Sequence, residues 1–176
     1  MHWAIALCML FLLLTVFLRS TWMSRESVTG VINDVLKDSE VKLSKEQIGK
    51  IARGIRNPMW DWHIYIGYVL TGLYSIRLLL PAVGEMKFQW PFGKALSTKV
   101  KFQLSTYLVF YFCVFLSLVT GLLIEFGPDA IHELMEEVHG FSLYYLLGFI
   151  FLHFAGILLA ELGTEKGIVS RMIGGK

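Results

Sequence analysis

The chain has 176 residues, 55% of them hydrophobic and 17% charged, against about 25% charged in an ordinary soluble domain. With a mean hydropathy of +0.59 it is too apolar for such a domain and far from a disordered composition. The net charge of +2 argues against a general nucleic-acid binder. The two cysteines, Cys8 and Cys113, lie in apolar runs. They exclude a disulfide framework, a Cys-rich zinc or iron–sulfur site, and covalent haem attachment through C-x-x-C-H.

Four charge-free runs organise the chain: Trp3 to Leu18, Trp62 to Ile76, Phe102 to Ile124 and Val138 to Ala160. The last two would each make about 35 Å of helix, enough to cross a bilayer. The second reaches span length through Arg77 to Leu80, where Pro81 stops it. The expected architecture is all-α, a four-transmembrane-helix bundle forming one domain over 1–176. Its spans lie at about 1–18, 60–80, 102–124 and 138–160, and a partly helical polar loop covers 19–59. No basic n-region precedes the first run and no A-x-A-like site follows it before Arg19, which disfavours a cleaved signal peptide. Either that span begins at the first residue, or a short basic lead precedes it in the natural protein.

In the long loop, Val28, Val31, Ile32, Val35 and Leu36 recur at helical spacing, as do Ile48, Ile51, Ala52 and Ile55 after a capping-box match at Ser44–Gln47. Two short amphipathic helices are expected there, forming a solvated cap on the membrane interface. Residues 81–101 form a basic loop with Lys87, Lys94, Lys99 and Lys101 against Glu85, and residues 125–137 an acidic connection. Lys and Arg are balanced between the two sides, but the long loop also carries many acids. The expectation is a membrane protein with both termini in the cytoplasm, and Trp60 and Trp62 as anchors at the outer face.

Of five histidines, His2, His63, His139 and His153 lie at or inside the apolar runs, where an ionisable group is costly and points to function. A neutral imidazole bonded to a neighbouring helix is the bland alternative for any one of them. His139 and His153 are fourteen residues apart, nearly the same helix face and about 21 Å along the axis. His63 opens the second span at the level of His139, and His2 opens the first at the level of His153. Two pairs follow, His63 with His139 and His2 with His153. Facing imidazoles in a helical core suit a haem iron held on both axial sides, an arrangement for electron transfer. Zinc wants four protein ligands, or three plus water, and two isolated pairs do not supply them. Gly67, Gly72, Gly140, Gly148 and Gly156 in the same spans give a flat ring room. Arg77, fourteen residues after His63, is placed to pair with a propionate of the inner haem or to snorkel to headgroups. His132 belongs to a segment that misses the H-E-x-x-H pattern and is expected to be a solvated loop residue. Tyr107, Ser117 and Thr120 are polar enough to line a pocket or to bond between helices.

His-Trp opening the first span, His63 with Arg77-Leu-Leu-Leu-Pro closing the second, and His139-Gly followed by His153 resemble the bacterial cytochrome b561 and nickel-hydrogenase b-type cytochrome family. The resemblance covers nearly the whole chain. It implies a four-helix membrane bundle with two b-type haems, each on two histidines. It also implies electron transfer between quinone and a periplasmic or membrane redox partner protein, or oxidation of superoxide. The alternatives are a haem-bearing anchor subunit of a larger oxidoreductase and a haem-free four-helix transporter or assembly factor. Besides lipid and quinone, no nucleic-acid partner is expected.

Overall fold

The computed structural model describes residues 1–84, 89–92, 96–163, 167, 169–170 and 174. Glu85, Lys87 and Lys94 of the basic loop, and Lys166, Arg171 and Lys176 of the tail, lie outside the described residues. The described chain is helical without strands. It divides into two compact units, residues 1–87 and 88–176.

The first unit holds α1 (His2–Ser20), α2 (Arg25–Lys37) and α3 (Lys45–Leu79), closed by a 3-10 turn over Leu80–Val83. α1 and α2 both pack on α3. Ser24 starts α2 by accepting the Ser27 N–H at 3.1 Å, which satisfies one orphan donor of the first turn. The expected capping box starts α3: Gln47 N–H donates to Ser44 Oγ at 3.2 Å, and Ser44 N–H donates to Gln47 Oε1 at 2.8 Å. The amphipathic segment 48–55 is not a separate short helix. It is the first part of α3, which continues through Pro58 into the apolar span. Hydropathy marks where a helix enters lipid, not where its hydrogen bonds begin, so the polar start and apolar remainder form one element. Pro58 forfeits only its own bond to the carbonyl of Gly54. At the far end Pro81 is the second residue of the 3-10 turn, and Gly84 ends it at φ 91°, a backbone state open to glycine at little cost.

The second unit holds α4 (Thr98–Phe126), α5 (Asp129–Gly140) and α6 (Ser142–Leu162), with α4 packed on both others. Residues 129–137 belong to α5 and are not an irregular connection. His132 is therefore a helical residue, its Nδ1 3.8 Å from Glu136 Oε1 one turn on. The fourth span is likewise not one uniform helix. At Phe141 the chain tightens: Phe141 N–H donates to Val138 O at 3.2 Å and Tyr144 N–H to Phe141 O at 3.1 Å. Such i→i+3 bonds turn the chain about 20° more per residue than an α-helix.

Four stretches are long and apolar enough to cross a membrane: His2–Ser20, Lys45–Val83, Thr98–Phe126 and Asp129–Leu162. Their side chains face outward; Leu7 is 62% exposed, Phe112 65% and Phe151 73%. That apolar exterior suits hydrocarbon, where the helix satisfies its own backbone. Inside, among the described residues, the buried polar side chains are Thr15 and Thr120.

Candidate functional site

Each unit places its two candidate ligands at two levels. In the first, His2 opens α1 and is exposed, its ring edge-on to Trp3 at 5.7 Å. His63, half-buried on α3, meets α1 at Thr15, with Nδ1 2.7 Å from the hydroxyl. Thr15 lies thirteen residues beyond His2, about 20 Å along the helix. In the second unit, α4 is the ruler. His153 approaches Tyr107, whose hydroxyl is 3.5 Å from Nδ1, while His139 approaches Ser117 and Thr120. Tyr107 and Thr120 are again thirteen residues apart. Within neither unit are the two histidines brought together; each pair is separated by most of a membrane's depth.

Hydrogen bonds orient one ring in each unit. His139 Nδ1 lies 3.0 Å from the Ser117 carbonyl, and a carbonyl only accepts. The proton of neutral His139 is therefore on Nδ1, and Nε2 carries the lone pair. Thr120 Oγ1 lies 3.2 Å from the same nitrogen and is itself within bonding distance of Leu116 O and Ser117 O. The Thr15 hydroxyl donates to Leu12 O at 2.6 Å. Having spent its one proton, it accepts from His63 Nδ1–H, which again leaves Nε2 as the donor atom. Metal-ligating histidines characteristically give their second nitrogen to such an acceptor, which fixes orientation and raises ligand basicity.

Packing completes the setting of each ring. Trp60 is stacked on His63 at 4.8 Å and 3°, so it does more than anchor at an interface; Trp62 is 56% exposed. His153 stacks on Phe149 at 5.6 Å, and Phe149 on Phe110 at 3.5 Å. A Cβ added at Gly121 would stand 3.1 Å from His139 Cε1, so glycine there makes room for the imidazole. Apart from the local helix backbone, no described atom stands within 4 Å of a Cβ added at Gly67, Gly72, Gly140, Gly148 or Gly156. The close approach to a histidine ring is on α4, at Gly121. Arg77 is half-buried near the end of α3.

Thr15, Trp60 and Gly121 are the residues that sequence reasoning missed. Thr15 carried a signal: it is the lone hydroxyl in the run from Trp3 to Leu18. A cleft of about 380 Å³ in the second unit, lined by Cys113, Ser117, Val138, Phe141 and Tyr145 among others, opens beside His139. Tyr145 donates to Ser117 Oγ at its wall, at 2.9 Å.

Half-buried imidazoles in apolar helices, with Nδ1 of His63 and His139 hydrogen-bonded so that Nε2 carries the lone pair, fit axial ligation of a haem iron. The described residues contain no group of three or more His, Cys, Asp or Glu side chains that suits a bare metal ion. The family model of prokaryotic cytochrome b561 matches residues 1–175. No curated protein and no solved structure matches the chain. With four apolar spans and that match over nearly its whole length, the chain belongs to the prokaryotic cytochrome b561 family, multi-pass membrane proteins that carry haem b and transfer electrons.

Proposed function

We propose that the protein carries electrons across the membrane on two b-type haems. His2, His63, His139 and His153 are the axial ligands, in the pairs that their depth along the spans implies: His63 with His139 and His2 with His153. The carrying observation is the two-level placement of histidines in each unit, about 20 Å apart by helix rise. Hydrogen bonds from Nδ1 at the His63 and His139 level reinforce it. Bound haem supplies one-electron chemistry at its iron; the protein positions it and sets its potential. Thr15 and the Ser117 carbonyl hold two of the rings in the ligating tautomer. Phe149 holds His153 by stacking, and the apolar helices keep water away.

Arg77 is proposed to neutralise a propionate of the haem on His2 and His153. Quinone is the proposed lipid-phase reactant, and the cleft beside Ser117 and Tyr145 offers hydroxyl groups in an apolar setting of suitable size. A periplasmic or membrane redox protein is the other reactant. The bacterial inner membrane, with both termini in the cytoplasm, is the proposed setting. A haem-bearing anchor subunit of a larger oxidoreductase is the second reading; family membership removes the haem-free one. Low-temperature EPR of the oxidised protein tests the ligation. Low-spin ferric signals of bis-imidazole haem are expected, and high-spin signals at full haem loading would contradict it.

A further inference from the structure

The haem reading gives no task to the charge at the end of the first span. Arg19 closes α1 four residues beyond Thr15, one turn further along the face that meets α3. Its guanidinium carbon lies 4.6 Å from the centroid of the Trp60 ring, and that ring is the one stacked on His63. The order is guanidinium, indole, imidazole. Nη1 of Arg19 is enclosed by protein with no hydrogen-bond partner. Nε and Nη2, neither enclosed nor bonded among the described residues, form the open edge. No carboxylate of the described residues pairs with Arg19. The charge that acts on it is the like charge of Arg56, whose own Nε is bound to Met23 O at 2.6 Å.

Two cations at the end of a membrane span, one with a buried unbonded nitrogen, are costly without a counter-ion. An arginine that snorkels to headgroups keeps its whole guanidinium hydrated; this one is clamped on an aromatic face with one nitrogen sealed inside. Nε and Nη2 present two parallel donors, the fork that matches a planar carboxylate.

We propose that the open edge of Arg19, held on Trp60 beside His63, binds a carboxylate of the cofactor that His63 ligates, a haem propionate. The proposal rests on the haem reading and extends it to a second basic residue, distinct from Arg77. A fixed cation there keeps the propionate ionised and favours the reduced, less positive iron. Trp60 serves as the positioning residue. A phospholipid phosphate offers the same anionic oxygens, so the test separates the two sources.

The experiment is a potentiometric titration of the full chain and of Arg19→Gln between about pH 5 and 9, in vesicles with and without anionic lipid. Haem content per chain is recorded throughout. The expected result is a lowered potential confined to the haem that is lost with His63. That potential also gains a pH dependence absent from the parent, because an unpaired propionate in an apolar setting takes up its proton at higher pH. Affinity for that haem should fall roughly tenfold or more, the weight of hydrogen bonds to charged groups. With the haem dimethyl ester the same substitution should cost much less, since the partner is already gone. Arg19→Lys, which keeps the charge and loses the fork, should show a smaller shift and carries the measurement if the Gln variant fails to insert. Unchanged potentials and pH profile would overturn the proposal. So would a wild-type dependence on anionic lipid that vanishes in the variant, which would assign the site to lipid phosphate. A parent protein without haem would instead contradict the haem reading itself.

Discussion

Thr15 accepts the Nδ1 proton of His63 at 2.7 Å while giving its own proton to Leu12 O at 2.6 Å. Thr120 stands 3.2 Å from Nδ1 of His139. The buried polar side chains of the described chain, one in each unit, are thus both spent on imidazoles. A buried hydroxyl in a lipid-embedded helix normally bonds its own backbone, and these two do so and reach a histidine as well.

Removing the first of these contacts should act on the haem as well as on stability. Thr15→Val keeps the shape and removes the acceptor, leaving His63 Nδ1–H unsatisfied at a cost of about 1–3 kcal/mol. The less basic imidazole stabilises ferric iron less, so the potential of that haem should rise while the other stays. Thr15→Ser should restore it. Redox titration with thermal unfolding checks both parts; a drop in potential would contradict the hydrogen-bond account.

Gly121→Ala should disturb the ring of His139. The added methyl meets Cε1 at 3.1 Å, so the imidazole must give by a few tenths of an ångström. Helix propensity alone would favour Ala by about 1 kcal/mol. The prediction is weaker binding or an altered spectrum of one haem despite a more stable helix. Gly30→Ala on α2, where no described atom stands within 4 Å, is the control and should leave both haems unchanged.

His139→Ala and His63→Ala should remove the same haem, and His153→Ala and His2→Ala the other. Haem content and reduced-minus-oxidised spectra of the four variants check the pairing. Both haems at full occupancy in any one variant would contradict it.

Arg77→Leu should lower the potential of the haem on His2 and His153 by an amount equivalent to about 1–3 kcal/mol, reduced by solvent screening. The other haem should change little. Equal shifts in both, or none, would leave Arg77 as a snorkelling or topology residue.

Much of this was legible in the sequence because lipid imposes length and charge rules on helices. The run at 102–124 lies inside α4, the run at 138–160 covers the end of α5 and most of α6 across the break at Phe141, and α3 ends at Leu79, two residues before Pro81. The start of α3 at Lys45 was legible in the capping box at Ser44–Gln47. Hydropathy did not show that this helix runs unbroken into the span, nor that a helix starts at Asp129, where no side-chain cap marks it. The candidate ligands stood out as costly residues in apolar runs, but their partners did not. Thr15 and Gly121 act through contacts between helices, which composition does not reveal; Trp60 meets His63 three residues on along α3, a spacing that the sequence did hold. Arg19, just beyond the first apolar run in the sequence, acquires significance only through Trp60.

The most direct test of the account is the number of haems per chain in the purified protein, by pyridine haemochrome against protein concentration. The account predicts two b-type haems per chain. One haem, or none, would contradict the two-level arrangement of His2, His63, His139 and His153.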